Sequence, residues 1–188
     1  MALLILQVKG MSMRNGGNME FDRMTPDADT IAAGDESQPN AVILGNAFGG
    51  VDKNGTWRAF VIPPGRWRIS ALSSGIQFVN LCLGSPSFEV KEGEVIYGGA
   101  FDFSADSIGP DLSLESVRQW LNGQPAAEKV QPATYTNGWL GPCGNNSIYA
   151  LEIKDAPFRD GYQWGSMANV PPVSLSTGNS ESGAGLIP

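Results

Sequence analysis

The stretch Thr56-Trp57-Arg58-Ala59-Phe60-Val61-Ile62-Pro63-Pro64-Gly65-Arg66-Trp67-Arg68-Ile69-Ser70-Ala71 carries the clearest pattern in the chain. Residues 66–71 alternate strictly, with Trp67, Ile69 and Ala71 on one side and Arg66, Arg68 and Ser70 on the other. That is the period of a β-strand buried on one face. Residues 56–62 also read as a strand. Between them, Pro63 and Pro64 cannot donate ladder hydrogen bonds, and Pro-Gly suits a turn. The expectation is a hairpin that buries Trp57 and Trp67 in one core and leaves the two arginines and Ser70 in water.

The same reading extends outward. Residues 2–8 form an apolar strand, and residues 19–24 alternate as a second strand expected to pair with it. Residues 41–44 read as a buried strand, and Asp52-Lys53-Asn54-Gly55 supplies a tight turn. Residues 76–83 read as a strand carrying Cys82. Residues 87–91 alternate, turn at Glu92-Gly93 and return through Glu94-Val95-Ile96-Tyr97. A further strand is expected over 147–154, with Tyr149, Leu151 and Ile153 on one face. Only residues 112–122 look helical: Asp111 or Ser113 can cap the start, Leu114, Val117 and Leu121 form a stripe, and Gly123 follows. Short strands separated by turn signals, with one inserted helix, describe an antiparallel β-sandwich or a partly open barrel, and the expectation is a mainly β fold, an antiparallel β-sandwich. Residues 1–167 make one domain. Residues 168–188, rich in proline, serine and glycine, read as a tail or arm.

Composition narrows function by exclusion. The 188 residues include no histidine, which removes histidine-dependent triads and HExxH metal sites. The net charge of −7 argues against nucleic acid or an anionic membrane as partner. No apolar run reaches the roughly 18 residues of a membrane helix. The run Ala2-Leu3-Leu4-Ile5-Leu6 lacks the basic residues that precede a signal core and is expected to be a buried first strand.

Two cysteines, Cys82 and Cys143, stand 61 positions apart. A disulfide between them would close a loop worth about 4 kcal/mol in the chain-entropy model. A bonded pair is expected because Cys143 sits in a Gly-Pro-Cys-Gly loop with little for a free thiol to pack on. An oxidised pair points to the periplasm, the cell envelope or the extracellular space.

Chemical motifs are sparse. Residues 45–50 have P-loop-like glycines, but Val51-Asp52 stand where Lys and Ser or Thr are required, so a glycine-rich turn is the reading. Asp27, Asp29, Asp35 and Glu36 do not match calcium-loop spacing and read as a solvated acidic loop. Two cysteines without histidine cannot fill a zinc site. Glu89, Glu94, Asp102 and Asp106 could supply a glycosidase pair, yet nothing singles out two of them, and Glu89 falls on a solvent face. No cofactor or metal is expected. Of five tryptophans, Trp139 and Trp164 lie in glycine-rich segments without apolar periodicity and are the candidate ligand-facing aromatics.

Three segments resemble bacterial envelope domains with a transthyretin-like or PEGA-like β-sandwich. They are Val61-Ile62-Pro63-Pro64-Gly65-Arg66-Trp67-Arg68-Ile69, the run Phe88-Glu89-Val90-Lys91-Glu92-Gly93-Glu94-Val95-Ile96-Tyr97-Gly98-Gly99, and Gln131-Pro132-Ala133-Thr134-Tyr135-Thr136-Asn137-Gly138. The resemblance covers residues 41–150 and implies an immunoglobulin- or transthyretin-like fold at the cell envelope, with no activity attached. The resulting expectation is a non-enzymatic protein that acts through protein contacts or self-assembly, by strand addition at the N-terminal strand or through the tail. The alternative is a carbohydrate-binding module using loop aromatics.

Overall fold

The computed structural model describes residues 1–10, 17–26, 31–32, 34, 39–45, 55–74, 77–105, 109–143 and 147–164. Outside them lie the acidic loop carboxylates, residues 46–54, Asp106 and the 168–188 tail. The elements in chain order are β1 (Ala2–Lys9), β2 (Gly17–Met24), β3 (Ala41–Gly45), β4 (Thr56–Ile62), β5 (Gly65–Ser74) and β6 (Gln77–Asn80). There follow β7 (Ser85–Val90), β8 (Val95–Asp102), β9 (Pro110–Asp111), α1 (Leu114–Trp120), α2 (Ala126–Lys129), β10 (Val130–Pro132), β11 (Thr136–Trp139) and β12 (Ser147–Ile148).

The strands form two sheets, as the mainly β reading requires. One runs β10-β8-β1-β4, with β9 also on β8; the other runs β11-β7-β5-β2-β3, with β6 on β5 and β12 on β6. Their facing sides share one core. Leu4, Leu6 and Val8 of β1 belong to it with Met19 and Phe21 of β2, Trp67 and Ile69 of β5, and Phe88 and Val90 of β7. At its centre Phe21 meets Phe88 and Phe101 edge to face, with ring centroids 6.3 and 6.1 Å apart. The Tyr135 hydroxyl donates to the Gly98 carbonyl at 2.7 Å and ties the 131–136 crossing to β8.

The unbroken apolar run of β1 has a physical reason. Its even residues face the sandwich core, while Leu3 and Ile5 face a second cluster with Val95, Tyr97, Val117, Leu121 and Val130. Helix α1 therefore covers the outer side of this sheet, and β1 is buried on both faces. The same cover accompanies two parallel pairings, β1 with β8 and β10 with β8, so the sandwich is not purely antiparallel.

Several local expectations are corrected. The segment 56–71 is not a hairpin: β4 pairs with β1 and β5 pairs with β2, β6 and β7, so Pro63-Pro64 carries the chain from one sheet to the other. The Lys91–Glu94 turn does the same between β7 and β8. Alternation reports which face a residue takes, and it does not name the neighbouring strand. Trp67 is accordingly in the inter-sheet core, whereas Trp57 lies on the far side of the other sheet, stacked on Trp120 with centroids 5.1 Å apart. Strand β2 pairs with β3 and β5, not with β1. The N-terminal strand is flanked by β4 and β8, so it offers no edge for strand addition.

The expected strand over 147–154 is β12 alone, and Tyr149 is exposed while Leu151 and Ile153 pack against the core. Helix α1 falls where expected. Ser113 holds the N-cap position without a side-chain bond, while the Asp111 carboxylate accepts the Ser113 N–H at 2.9 Å. A second short helix, α2, begins right after Pro125, which fits proline at the start of a helix better than its interior.

Candidate functional site

The outer face of the second sheet carries most of the polar side chains that the structure brings together. Alternation places Arg66, Arg68 and Ser70 of β5 there, beside Asp22 of β2 and Ser87 and Glu89 of β7, through the registered pairs Asp22–Arg68, Arg68–Ser87 and Arg66–Glu89. Glu89 is exposed, as its strand position implied. Arg68 and Ser70 are not in water: Arg68 is only 1% exposed.

Over Arg68 the cover includes Gly141, in the glycine-rich segment around Trp139 whose lack of apolar periodicity hid this role. Cys82 and Cys143 form a disulfide, with Cα atoms 5.1 Å apart. Beside it the Gly141 N–H donates to the Cys82 carbonyl at 3.2 Å, and the Asn80 amide donates to the Pro142 carbonyl at 3.2 Å. Gly141 thus lies against the Arg68 guanidinium, where any Cβ would collide with it. Arg68 donates to the Leu81 carbonyl at 3.2 Å and stands 4.0 Å from the Asp22 carboxylate. Asn137 clamps the next part of the cover. Its amide donates to the carbonyls of Ile153 and Ala156 at 2.9 and 3.0 Å, and its oxygen accepts the Ile153 N–H at 2.9 Å. The Tyr162 ring lies against Gly84 and Gly138, both at positive φ, and its hydroxyl donates to the Leu83 carbonyl at 2.9 Å.

Burial outweighs the neighbouring cation at Asp22 and acts together with a neighbouring carboxylate at Glu20. Desolvation pushes the Asp22 carboxyl above its ordinary value, while the Ser70 hydroxyl and Arg68 pull it down; desolvation, and then the Asp22 charge, push Glu20 up. A carboxyl with a raised native pKa holds its proton more tightly folded than unfolded. It costs nothing below the unfolded pKa, and its cost grows as pH rises toward the native value. Asp22→Asn removes the ionisable group, so its stability relative to wild type should improve as pH rises above about 4. Urea unfolding of both proteins between pH 4 and 7 checks this; a variant that loses ground with rising pH would contradict the assignment.

At one end of this face a groove of about 380 Å³ opens between β7, the Lys91–Glu94 turn and the 131–136 crossing. Its rim carries Arg66, Glu89, Lys91, Glu94, Gln131, Thr134, Thr136 and Trp139. Trp139, one of the two aromatics chosen from sequence, is therefore part of a concave surface. Its ring is not a free platform, because the Arg66 guanidinium lies 3.6 Å from the centroid and Arg159 lies 4.6 Å away. Arg66 is also ion-paired with Glu89. The Glu94 carboxylate accepts the Lys91 N–H at 2.7 Å. Of the four carboxylates considered for catalysis, Glu89 and Glu94 share this groove. Asp102 instead accepts the Ser104 N–H and hydroxyl at 2.9 and 2.6 Å, which hold its carboxyl below the ordinary range.

Trp164 lies elsewhere, 52% exposed and edge-on to Phe158, which stacks on Tyr162.

A second exposed surface lies at the opposite edge of the first sheet. Strand β4 pairs with β1, and among the described residues nothing pairs with its other side. Ala59 is exposed and Val61 is 62% exposed, on the same side of β4 as Trp57, whose stacking partner Trp120 is 40% exposed. Among the described residues no helix is long and apolar enough to cross a membrane.

No protein-family model, curated protein or solved structure matches the chain.

The arginines of β5, Arg159 and Asn137 escaped sequence reasoning. The one local trace was the glycine spacing Gly138 and Gly141, where a side chain or guanidinium passes close to the backbone.

Proposed function

We propose that the chain is a non-enzymatic β-sandwich that self-associates through the free edge of β4, in an oxidising compartment such as the cell envelope. The observation that carries this reading is the coincidence of a seven-residue edge strand, whose outer edge pairs with nothing among the described residues, with exposed apolar side chains at the same place. Unpaired edges template strand addition, and soluble proteins ordinarily blunt them with charge or cover them. Here Arg58 is the one charged residue in β4. An antiparallel pairing centred on Ala59 sets Trp57 of one copy opposite Val61 of the other, twice, and sets no like charges opposite each other.

The disulfide supports the compartment, since such bonds persist outside reducing cytosol. The non-enzymatic part is supported by how the polar groups of the covered face are engaged: Arg68, Asn137 and Asn80 bond to main-chain carbonyls of the cover and its anchor. Protein contact at the envelope is also what the transthyretin-like resemblance implies.

Sedimentation velocity over a micromolar to millimolar series tests the reading. Wild type should show a concentration-dependent dimer. Val61→Lys, at a position too exposed to disturb the core, should weaken it at least about tenfold by placing a charge in the apolar contact. A wild type that stays monomeric at millimolar concentration, or a dimer indifferent to Val61→Lys, would overturn the proposal.

A further inference from the structure

We infer that the groove beside Trp139 is a binding site for a short neutral oligosaccharide, separate from the β4 edge. The two surfaces involve opposite edges of the first sheet: β10, which contributes Gln131 and Pro132 to the groove, and β4 stand at its two ends. The groove volume of about 380 Å³ falls within the range of small-molecule sites.

The lining chemistry selects the ligand class. Two cations, Arg66 and Lys91, and two carboxylates, Glu89 and Glu94, share the rim, so the rim itself carries no net charge. An anionic ligand would meet both carboxylates, while the charge of Arg66 is already divided between Glu89 and the Trp139 ring. A cationic ligand would meet Lys91 and Arg66. An apolar ligand would strip water from all four charges without replacing the lost hydrogen bonds.

A sugar fits what remains. Its hydroxyls donate to carboxylate oxygens, and exchange hydrogen bonds with the exposed side chains of Gln131 and Thr134 and with the half-buried Thr136. Its ring carbons can rest on the apolar flank formed by Pro132 and the edge of Trp139. The Arg66 stack fixes the Trp139 ring and the Glu89 carboxylate as one rigid wall, which lowers the ordering cost of binding.

The test is saturation-transfer NMR of the full chain with cellobiose, maltose, lactose and chitobiose at millimolar concentration, followed by titration calorimetry with any disaccharide that responds. Gln131→Ala, Thr134→Val and Glu94→Gln probe the rim; the glutamine retains an acceptor for the Lys91 N–H. Trp164→Ala probes the exposed aromatic cluster, which is not part of the groove lining. Thermal midpoints matching wild type establish that each variant is folded. The expected result is binding of at least one neutral disaccharide, weakened at least about tenfold by Glu94→Gln, as befits a hydrogen bond to a charged acceptor, and unchanged by Trp164→Ala. Three results would each overturn the assignment: no neutral disaccharide bound, binding indifferent to all three rim variants, or binding abolished by Trp164→Ala.

Discussion

Breaking the Cys82–Cys143 bond will lower the unfolding free energy by about 4 kcal/mol. The bond closes a loop with a sequence separation of 61, and in the chain-entropy account its absence returns that freedom to the unfolded state. A native-state contribution adds to the effect. The bond holds residues 141–143 over Arg68, which is 1% exposed and depends on that cover to remain out of water. Without it, the hydrogen bonds that hold residues 141–142 among the described residues are those from the Gly141 N–H to the Cys82 carbonyl and from the Asn80 amide to the Pro142 carbonyl, worth about 1 kcal/mol each. Denaturant titration of wild type, reduced wild type and Cys143→Ser gives the comparison. The reduced protein and the serine variant should agree with each other and fall well below the oxidised protein. Hydrogen exchange should rise first at Gly141. A serine variant within 1 kcal/mol of wild type would show that the cover is held by packing alone.

The parts of the fold that were legible in sequence share a feature: each depends on residues close together in the chain. Apolar residues 2–8 announce a buried strand, residues 66–71 announce one strand face, and Leu114, Val117 and Leu121 announce a helix face. All three hold. Strand pairing is decided by residues far apart, and there the reading failed, as with β4 and β5. Two strands joined by a short turn satisfy their backbone groups equally well as a hairpin or by joining different sheets, and alternation is the same in both cases.

The candidate site illustrates the same limit. Trp139 stood out because it lacks apolar periodicity, and it does line the groove. Its neighbours Arg66, Glu89 and Arg159 come from three separate segments, and no local spacing links them. Arg68 was read as solvent-facing because alternation separates the core face of a strand from its other face. It cannot tell whether a distant loop covers that other face, as Gly141 covers Arg68 here. The cysteine pair and the glycines at 138 and 141 were the hints of such a cover.

Trp67→Ala will cost about 3–5 kcal/mol, comparable with loss of the disulfide, and for a reason specific to the sheet-to-sheet corner. Trp67 is fully buried on β5 between Arg23 of β2 and Phe88 of β7 in register, and belongs to the shared core. Truncation removes the largest buried side chain and leaves a cavity that the flanking strands, each fixed by its own ladder, cannot close. A second loss is separable from the first. The indole N–H donates to the Pro63 carbonyl at 3.1 Å, across the corner where two consecutive prolines supply no donor of their own. Trp67→Phe keeps much of the packing but loses this bond and leaves the Pro63 carbonyl without its buried donor, at a cost of about 1–3 kcal/mol. If the corner is held as described, Trp67→Phe should raise hydrogen exchange at Gly65 and Arg66 while leaving β1 protected. Trp67→Ala should lower protection in both sheets together, because they share the core it vacates. Equal, uniform loss in both variants would mean that the bond to Pro63 contributes nothing beyond burial, and that the corner is held by its prolines alone.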